Sequence, residues 1–318
     1  MYNCFKAKKH VRSYGLDFSL TMAAILRRGL ARPKAKRHMS FQVMLVILFG
    51  ALLHATWNAL VKSGSNKFVA SILLSVNAGL LGFLGSFFLP APHPSSWPYL
   101  AASVAIHSLY FCLVAFAYRN GDLSFVYPFM RGSAPLFTAL ISVRILGERL
   151  VGGAWLGVLL LCTGVLILAA DNWRATHVQT RAWLYGLMNA AVIVAYTIVD
   201  GFGVRASGNA WSYVLWMFFL NMFPMLAIGI VADAQALVSI SRGTWVRGFV
   251  SGSCTVGAYG LALWAMTRAP IPLVAALRET SVLFGTAIAM LALGERFGWA
   301  RWVAAALICA GAAAMKAL

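Results

Sequence analysis

The chain has 318 residues, of which 61% are hydrophobic and only 11% are charged. A soluble domain carries about 25% charged residues, so the composition excludes a water-soluble globular protein and predicts a polytopic helical membrane protein. The net charge of +18 does not indicate nucleic-acid binding, because most basic residues beyond the N-terminal segment are scattered in short gaps between apolar runs.

Residues 1–38 differ from the rest of the chain. They carry ten Lys and Arg residues against a single acid, Asp17. The apolar stretch 21–26 is too short to span a bilayer or to form the core of a signal peptide. Four interpretations stay open: a surface-lying basic helix, a targeting peptide, a disordered cytoplasmic tail, or an artefact of a translation start at Met39. The last two are favoured.

From Met39 onward, apolar segments follow one another with short polar breaks. A membrane-spanning helix needs about 20 apolar residues, and Gly, Pro, Asn and charged residues separate the candidates. Tryptophans occur near the segment ends, which is typical of an interfacial aromatic belt. The sequence predicts ten membrane-spanning helices at 41–61, 69–89, 98–118, 123–145, 151–170, 182–202, 211–231, 246–267, 271–293 and 299–316.

An internal repeat divides the chain. The motif LGER at 146–149 recurs at 293–296, and at the same offset Arg131 falls on Arg278. Such self-similarity at a fixed offset indicates a duplication of about half the chain. The register continues through Leu136 with Leu283, Phe137 with Phe284, Trp155 with Trp302, and Gly164 with Gly311.

Each half holds five predicted spans. Because five is odd, the second half enters the membrane from the opposite side, and the halves are predicted to be inverted repeats. This architecture is characteristic of secondary transporters, whose substrate sites lie near the membrane midplane at the repeat interface. The predicted division is a basic tail at 1–38, a first repeat at 39–170, a linker at 171–181 and a second repeat at 182–318.

Three stretches resemble one family. The sequence AYRNGDLSFVYPFMRGSAPLFTALISVRILGERL at 117–150 resembles the fourth span and following loop of EamA-type permeases of the drug/metabolite transporter superfamily. The sequences at 276–296 and 54–64 are similar to the ninth span and to the end of the first. The resemblance covers 39–318 and implies a ten-helix, 5+5 inverted fold in the inner membrane of a bacterium, with both termini cytoplasmic. It also implies transport of small organic solutes, often outward.

The basic residues give a divided signal on this orientation. Without residues 1–38, the loops expected outside hold more Lys and Arg than the cytoplasmic ones, against the positive-inside rule. The ten basic residues of the tail reverse the bias. The charges therefore favour the family orientation only if the tail is translated.

Arg131 lies inside the fourth predicted span. An arginine there costs about 2.5–3.5 kcal/mol on insertion scales, so it is expected to face the bundle interior or a wet cavity. The repeat places Arg278 at the equivalent position. Two roles stay open for these arginines: they bind the anionic group of a solute, or they are structural and are satisfied by Glu279, Asp200 or helix carbonyls.

Other polar residues share helix faces with these arginines or lie in neighbouring spans. Glu279 and Asp200 are candidates for proton coupling, because a carboxylate can be neutralised inside a membrane; an inert buried salt bridge is the alternative for Glu279. The remaining candidates either line the cavity or join helices by hydrogen bonds. They are Tyr127, Ser281, His54, Trp57, Asn58 and Tyr196.

These features predict a secondary transporter that moves a small organic metabolite, an amino acid or related carboxylate, outward by alternating access. The chain has no GxxxxGK[ST] loop, which disfavours ATP drive and leaves proton exchange or facilitated diffusion. The alternatives are a membrane-embedded enzyme acting on a lipid or isoprenoid, disfavoured because its acids lie apart from any His at ligand spacing, and a structural or lipid-linked membrane partner. The five cysteines form no CxxC motif, and no metal or other cofactor is expected. Expected partners are a solute, membrane lipid and a second copy in a homodimer.

Overall fold

The computed structural model describes residues 39–64, 66–120, 123–145, 147–148, 150, 152–173, 180–238, 240–293 and 298–317. The predicted tail at 1–38, positions 146 and 149 of the first LGER motif and positions 294–296 of the second lie outside them. The helices in the described part of the chain are α1 (Phe41–Lys62), α2 (Lys67–Ser86), α3 (Trp97–Asn120), α4 (Leu123–Arg144), α5 (Gly152–Trp173), α6 (Thr180–Ala206), α7 (Ala210–Val238), α8 (Arg242–Met266), α9 (Ile271–Arg278), α10 (Ser281–Leu293) and α11 (Trp299–Ala317), with a 3₁₀ turn at Pro94–Ser96.

Polar side chains mark the starts of three helices. The Oγ atoms of Ser40 and Ser241 accept hydrogen bonds from backbone N–H groups in the first turns of α1 and α8. The Oδ1 atom of Asn66 accepts from the N–H groups of Phe68 and Val69 at the start of α2. Each cap satisfies N–H groups that have no partner within the helix, which is why the helices begin there.

The ninth predicted span is interrupted as a helix at Glu279 and Thr280, although Ile271–Ile288 still forms one segment long and apolar enough to cross a membrane. Helix α9 ends at Arg278, and α10 begins at Ser281. The N–H groups of Glu279 and Thr280 donate to carbonyls three residues back, and the Thr280 hydroxyl donates to the Leu277 carbonyl at 2.7 Å. These bonds tighten the last turn of α9 and compete with the α-helical pattern.

The outer surface is apolar and the interior holds charges. Phe88, Val231 and Leu291 each expose more than 80% of their surface, whereas Asp200 and Glu279 are buried. This is the arrangement expected in lipid, where apolar side chains face outward and ionisable ones face the bundle interior. Among the described residues, six helical segments are long and apolar enough to cross a membrane. The chain is an all-helical integral membrane protein.

Helices α5 and α11 pack closely because glycines line their contact. A Cβ atom on Gly157 would lie 2.7 Å from the carbonyl oxygen of Gly311, and one on Gly164 would lie 2.8 Å from that of Ala304. Larger side chains would therefore force the helices apart. Gly157, the earlier glycine of α5, contacts the later residue of α11, Gly311, and Gly164 contacts the earlier residue, Ala304. The two helices therefore run antiparallel.

Helices α2 and α7 show the same pattern. Gly79 lies against Met222, and Gly85 lies against Leu215, so these helices are also antiparallel. Other extensive contacts join α1 to α8, α3 to α6, α4 to both α5 and α6, and α1 to α10. Apart from the contact of α4 with α5, these contacts connect helices that are not neighbours in the sequence.

Candidate functional site

A small buried cavity lies where α4, α6 and α9 meet. Its free volume is about 10 Å³, which is room for about one water molecule. Helix α4 comes from the first half of the chain, and α6 and α9 come from the second. The lining residues are Arg131, Ala134, Pro135, Thr138, Ile193, Tyr196, Thr197, Ala275, Arg278 and Glu279.

Arg131 and Glu279 form a buried ion pair across this cavity. The Nε atom of Arg131 lies 2.9 Å from Oε2 of Glu279, and only 6% and 7% of the two side chains are exposed. The pair joins α4 to the turn after α9, so it links the two halves. Glu279 pairs with Arg131 rather than with its chain neighbour Arg278.

Arg278 lies against an aromatic ring. Its guanidinium carbon is 5.0 Å from the ring centroid of Tyr259 on α8, within the range of a cation–π contact. Within the described part of the chain, Arg278 forms no salt bridge. It is therefore the arginine of the cavity whose charge has no direct carboxylate partner among those residues.

Asp200 does not line the cavity, but it binds a tyrosine that contacts one of the lining arginines. Its carboxylate is fully buried and accepts hydrogen bonds from the hydroxyls of Tyr213, at 2.9 Å, and Tyr259, at 2.5 Å. The Tyr259 ring in turn contacts Arg278. Asp200 thus fixes the ring on which Arg278 rests.

An aromatic cluster extends this support. The imidazole of His107 stacks on Tyr196 with centroids 4.5 Å apart, and it meets Tyr259 edge-on at 5.8 Å. His107 Nδ1 also lies 3.2 Å from the Ser103 hydroxyl on the preceding turn. His107 and Tyr259 thus both contact residues of the site.

The candidates on α1 lie near the cavity without lining it. The His54 ring makes an edge contact with Trp57, with centroids 4.9 Å apart, and the Asn58 amide donates to the His54 carbonyl at 2.9 Å. The Nε2 atom of His54 is buried and has no hydrogen-bond partner among the described residues. His54 lies within the electrostatic range of Arg131 and Arg278.

Two further candidates have different outcomes. Ser281 is buried at the first position of α10 and does not line the cavity. The break at Glu279 and Thr280 removes the shared face with Arg278 that a continuous helix predicted. Tyr127 belongs to α4, but its side chain lies outside the described residues.

Sequence reasoning missed several small lining residues. Ala134 and Ala275 each lie three residues from an arginine of the cavity, so one helical turn around Arg131 and Arg278 could have found them. Thr197 carries no signal beyond its place next to Tyr196.

The fold and the cavity define a multi-pass helical membrane protein with a charged site between its helices. In the described ranges, no group of three His, Cys, Asp or Glu side chains could hold a metal ion.

Comparisons with known proteins show what the chain is similar to. Residues 180–316 match the EamA-like transporter family. The chain is 25% identical over 266 residues to the "Probable amino-acid metabolite efflux pump" of Escherichia coli (strain K12), covering 79% of this chain and 87% of that protein. A solved crystal structure aligns with a TM-score of 0.72 at 17% identity, covering 89% of this chain and 99% of that one, which shows a shared fold. Residues 180–316 thus match the family that the resemblance named, and the matches together support a membrane transporter rather than an enzyme.

Proposed function

We propose that this transporter moves an amino acid or a related small carboxylate outward. The observation that carries the proposal is the charge of the buried cavity: Arg131 and Glu279 neutralise each other, and Arg278 adds a positive charge. Arginine binds carboxylates through two parallel hydrogen bonds. An α-amino acid would place its carboxylate at Arg278 and its ammonium group near Glu279. The similarity to a probable amino-acid metabolite efflux pump supports this class and direction.

We further propose that 39–170 and 182–318 are inverted repeats joined by the linker at 171–181. Helices α5 and α11 are equivalent in the sequence repeat and pack antiparallel, as an inverted repeat requires. Under the repeat offset, the contact of Gly157 with Gly311 maps onto that of Gly164 with Ala304. This exchange is what a two-fold axis between the halves produces.

The wider helix packing supports the same symmetry. In the proposed repeat, α1 to α5 correspond to α6, α7, α8, the broken α9–α10 pair and α11. The contact of α1 with α8 then corresponds to that of α6 with α3, and the contact of α4 with α6 corresponds to that of α1 with α9 and α10. A symmetric pair of rigid halves is the arrangement that alternating access needs.

The cavity around the charged residues is small in this conformation. Room for about one water molecule does not accommodate an amino acid, so entry requires the walls to separate. The walls come from both halves, since Arg131 lies on α4 and Arg278 on α9. Rocking one half against the other would therefore open the site.

Replacing Arg278 with glutamine is expected to lower amino-acid efflux at least tenfold, because a hydrogen bond to a charged group contributes about 1.5–3 kcal/mol. Efflux is measured from proteoliposomes loaded with radiolabelled amino acids. Arg268→Gln is the matched control, since Arg268 also rests on an aromatic ring, that of Trp264, but is exposed. Equal efflux by the two variants would remove Arg278 from the site, and absence of efflux from the parent for every solute tested would defeat the proposal.

We propose Glu279 as the proton-carrying group. Protonation would break its pairing with Arg131, which could then bind the solute carboxylate together with Arg278. Glu279→Gln is therefore expected to keep solute exchange and to lose the acceleration that an imposed pH gradient gives the parent. Asp200, the other candidate, is held by two tyrosine hydroxyls, and we assign it the support of Tyr259. A pH response that persists in Glu279→Gln would contradict this assignment.

We place the protein in a bacterial inner membrane with both termini cytoplasmic. The family resemblance supports this orientation, and reporter fusions to the C-terminus test it: activity of a periplasmic-only reporter there would reverse the topology. A homodimer and a bound lipid stay predictions.

A further inference from the structure

A second ion pair lies at one end of the helix bundle, away from the cavity. The Nη1 atom of Arg205, near the end of α6, donates to Oε1 of Glu148 at 2.7 Å, and only 21% and 10% of the two side chains are exposed. Glu148 lies in the loop after α4, in the first half. The pair therefore joins the halves, and it has no part in the proposed binding of the solute or in proton coupling.

The sequence places Glu148 there by ending α4 with a glycine. Gly147 adopts φ 65°, the left-handed conformation that glycine takes most readily. The N–H of Glu148 donates back to the Ser142 carbonyl at 3.1 Å, which satisfies one of the carbonyls that the last turn of a helix leaves without an intrahelical partner. The glycine and glutamate of the LGER motif thus act together: one ends the helix, and the other is turned toward Arg205.

The same two side chains hold the start of α9. Arg205 also donates from Nε to the Met266 carbonyl at 2.8 Å and from Nη2 to the Ala269 carbonyl at 3.1 Å. Glu148 Oε2 accepts from the N–H of Ile271, the first residue of α9, at 3.1 Å. Helix α9 has eight residues and ends at Arg278, so it spans about 12 Å at 1.5 Å per residue. A shift at Ile271 is carried directly to the cavity.

Further hydrogen bonds between the halves occur at the same end of the bundle. The N–H of His93 donates to the Ser207 carbonyl at 3.0 Å, and the Ser212 hydroxyl donates to the Pro90 carbonyl at 2.8 Å. Both join the loop between α2 and α3 to the connection between α6 and α7. We call this end, formed by that loop, the ends of α4 and α6 and the turn between α8 and α9, the closed end.

We infer that Glu148 and Arg205 are gating residues that hold the closed end shut and fix the start of α9. The inference rests on the proposed alternating access, in which the halves separate at one end at a time. Charge-assisted hydrogen bonds at a partly buried position are strong enough to bias such a two-state change. Breaking the pair frees Ile271 and separates α4 from the turn that leads to Arg278, so the cavity opens toward this end.

The test measures opening directly by spin-label distances between Phe88→Cys in the first half and Thr267→Cys in the second. Both residues are exposed at the closed end, and the five native cysteines are replaced by alanine. Glu148→Gln and Arg205→Gln are expected to raise the ratio of long to short distances about tenfold, equivalent to about 1.4 kcal/mol. Arg144→Gln, which removes an exposed positive charge at the end of α4, should leave the distances unchanged.

Hydrogen exchange of the native-cysteine protein gives a second readout that needs no labels. Faster exchange is expected at both the start of α9 and the connection between α6 and α7 in Glu148→Gln. Parent-like distances and exchange in both variants of the pair would overturn the inference, as would lost efflux with parent-like distances. A distance shift in protein whose parent moves no solute would instead count against the proposed function.

Discussion

Replacing Arg131 with glutamine is expected to abolish transport and to lower the stability of the folded protein together. The change leaves the Glu279 carboxylate, whose side chain is 7% exposed, without the partner that lies 2.9 Å away. Removing one member of a buried ion pair costs about 3–5 kcal/mol. Efflux is measured in proteoliposomes, and stability by thermal unfolding in detergent. Membrane insertion should be unaffected, because loss of a charge favours insertion.

The double variant Arg131→Gln with Glu279→Gln separates the two effects. It removes both charges with side chains of similar size, so most of the lost stability should return while efflux stays absent. The single and double variants form a cycle whose interaction term measures the pairing. Recovery of efflux in the double variant would make Arg131 part of the scaffold only.

The ion pair occurs once although the chain is repeated. Arg131 corresponds to Arg278, but the residue that corresponds to Glu279 is Gly132. A Cβ atom on Gly132 would lie 3.1–3.2 Å from the side chains of Leu166 and Val165, so a larger residue there would require these side chains to shift. Because Gly132 carries no carboxylate, the cavity holds one arginine with a carboxylate partner and one without among the described residues, and in the proposed function the second, Arg278, binds the carboxylate of the solute.

Composition and the repeat were sufficient to predict the fold class and the two arginines. An arginine in an apolar span has to face inward, so Arg131 could be found from its neighbours in the sequence. The offset of the repeat then identified its counterpart, Arg278. These signals need no knowledge of which helices touch.

Partners across helices could not be predicted in this way. Glu148 meets Arg205 at a separation of 57 residues, and Asp200 meets Tyr259 at 59, so no helical spacing connects them. From the sequence, the motif LGER was therefore only a marker of the repeat. The break after Arg278 was also missed, because no Gly or Pro marks it. The helix face predicted to hold both Arg278 and Ser281 required a regular helix through this break.

Replacing Asp200 with leucine is expected to destabilise the protein strongly and to reduce efflux. The leucine has a similar size but cannot accept the hydroxyls of Tyr213 and Tyr259, which donate to Asp200 in a fully buried position. Each buried donor left without an acceptor costs about 1–3 kcal/mol. The Tyr259 ring would then be free to move, and Arg278 would lose its fixed support. Thermal unfolding and proteoliposome efflux measure the two effects.

The triple variant Asp200→Leu, Tyr213→Phe, Tyr259→Phe decides what the carboxylate does beyond accepting these bonds. It removes both orphaned hydroxyls and keeps the aromatic face beneath Arg278, so stability and efflux should largely return. The pH response of efflux should match the parent, because Glu279 carries the proton in the proposed mechanism. Restored efflux without a pH response would move proton coupling from Glu279 to Asp200, since the triple variant leaves the pair of Arg131 with Glu279 intact.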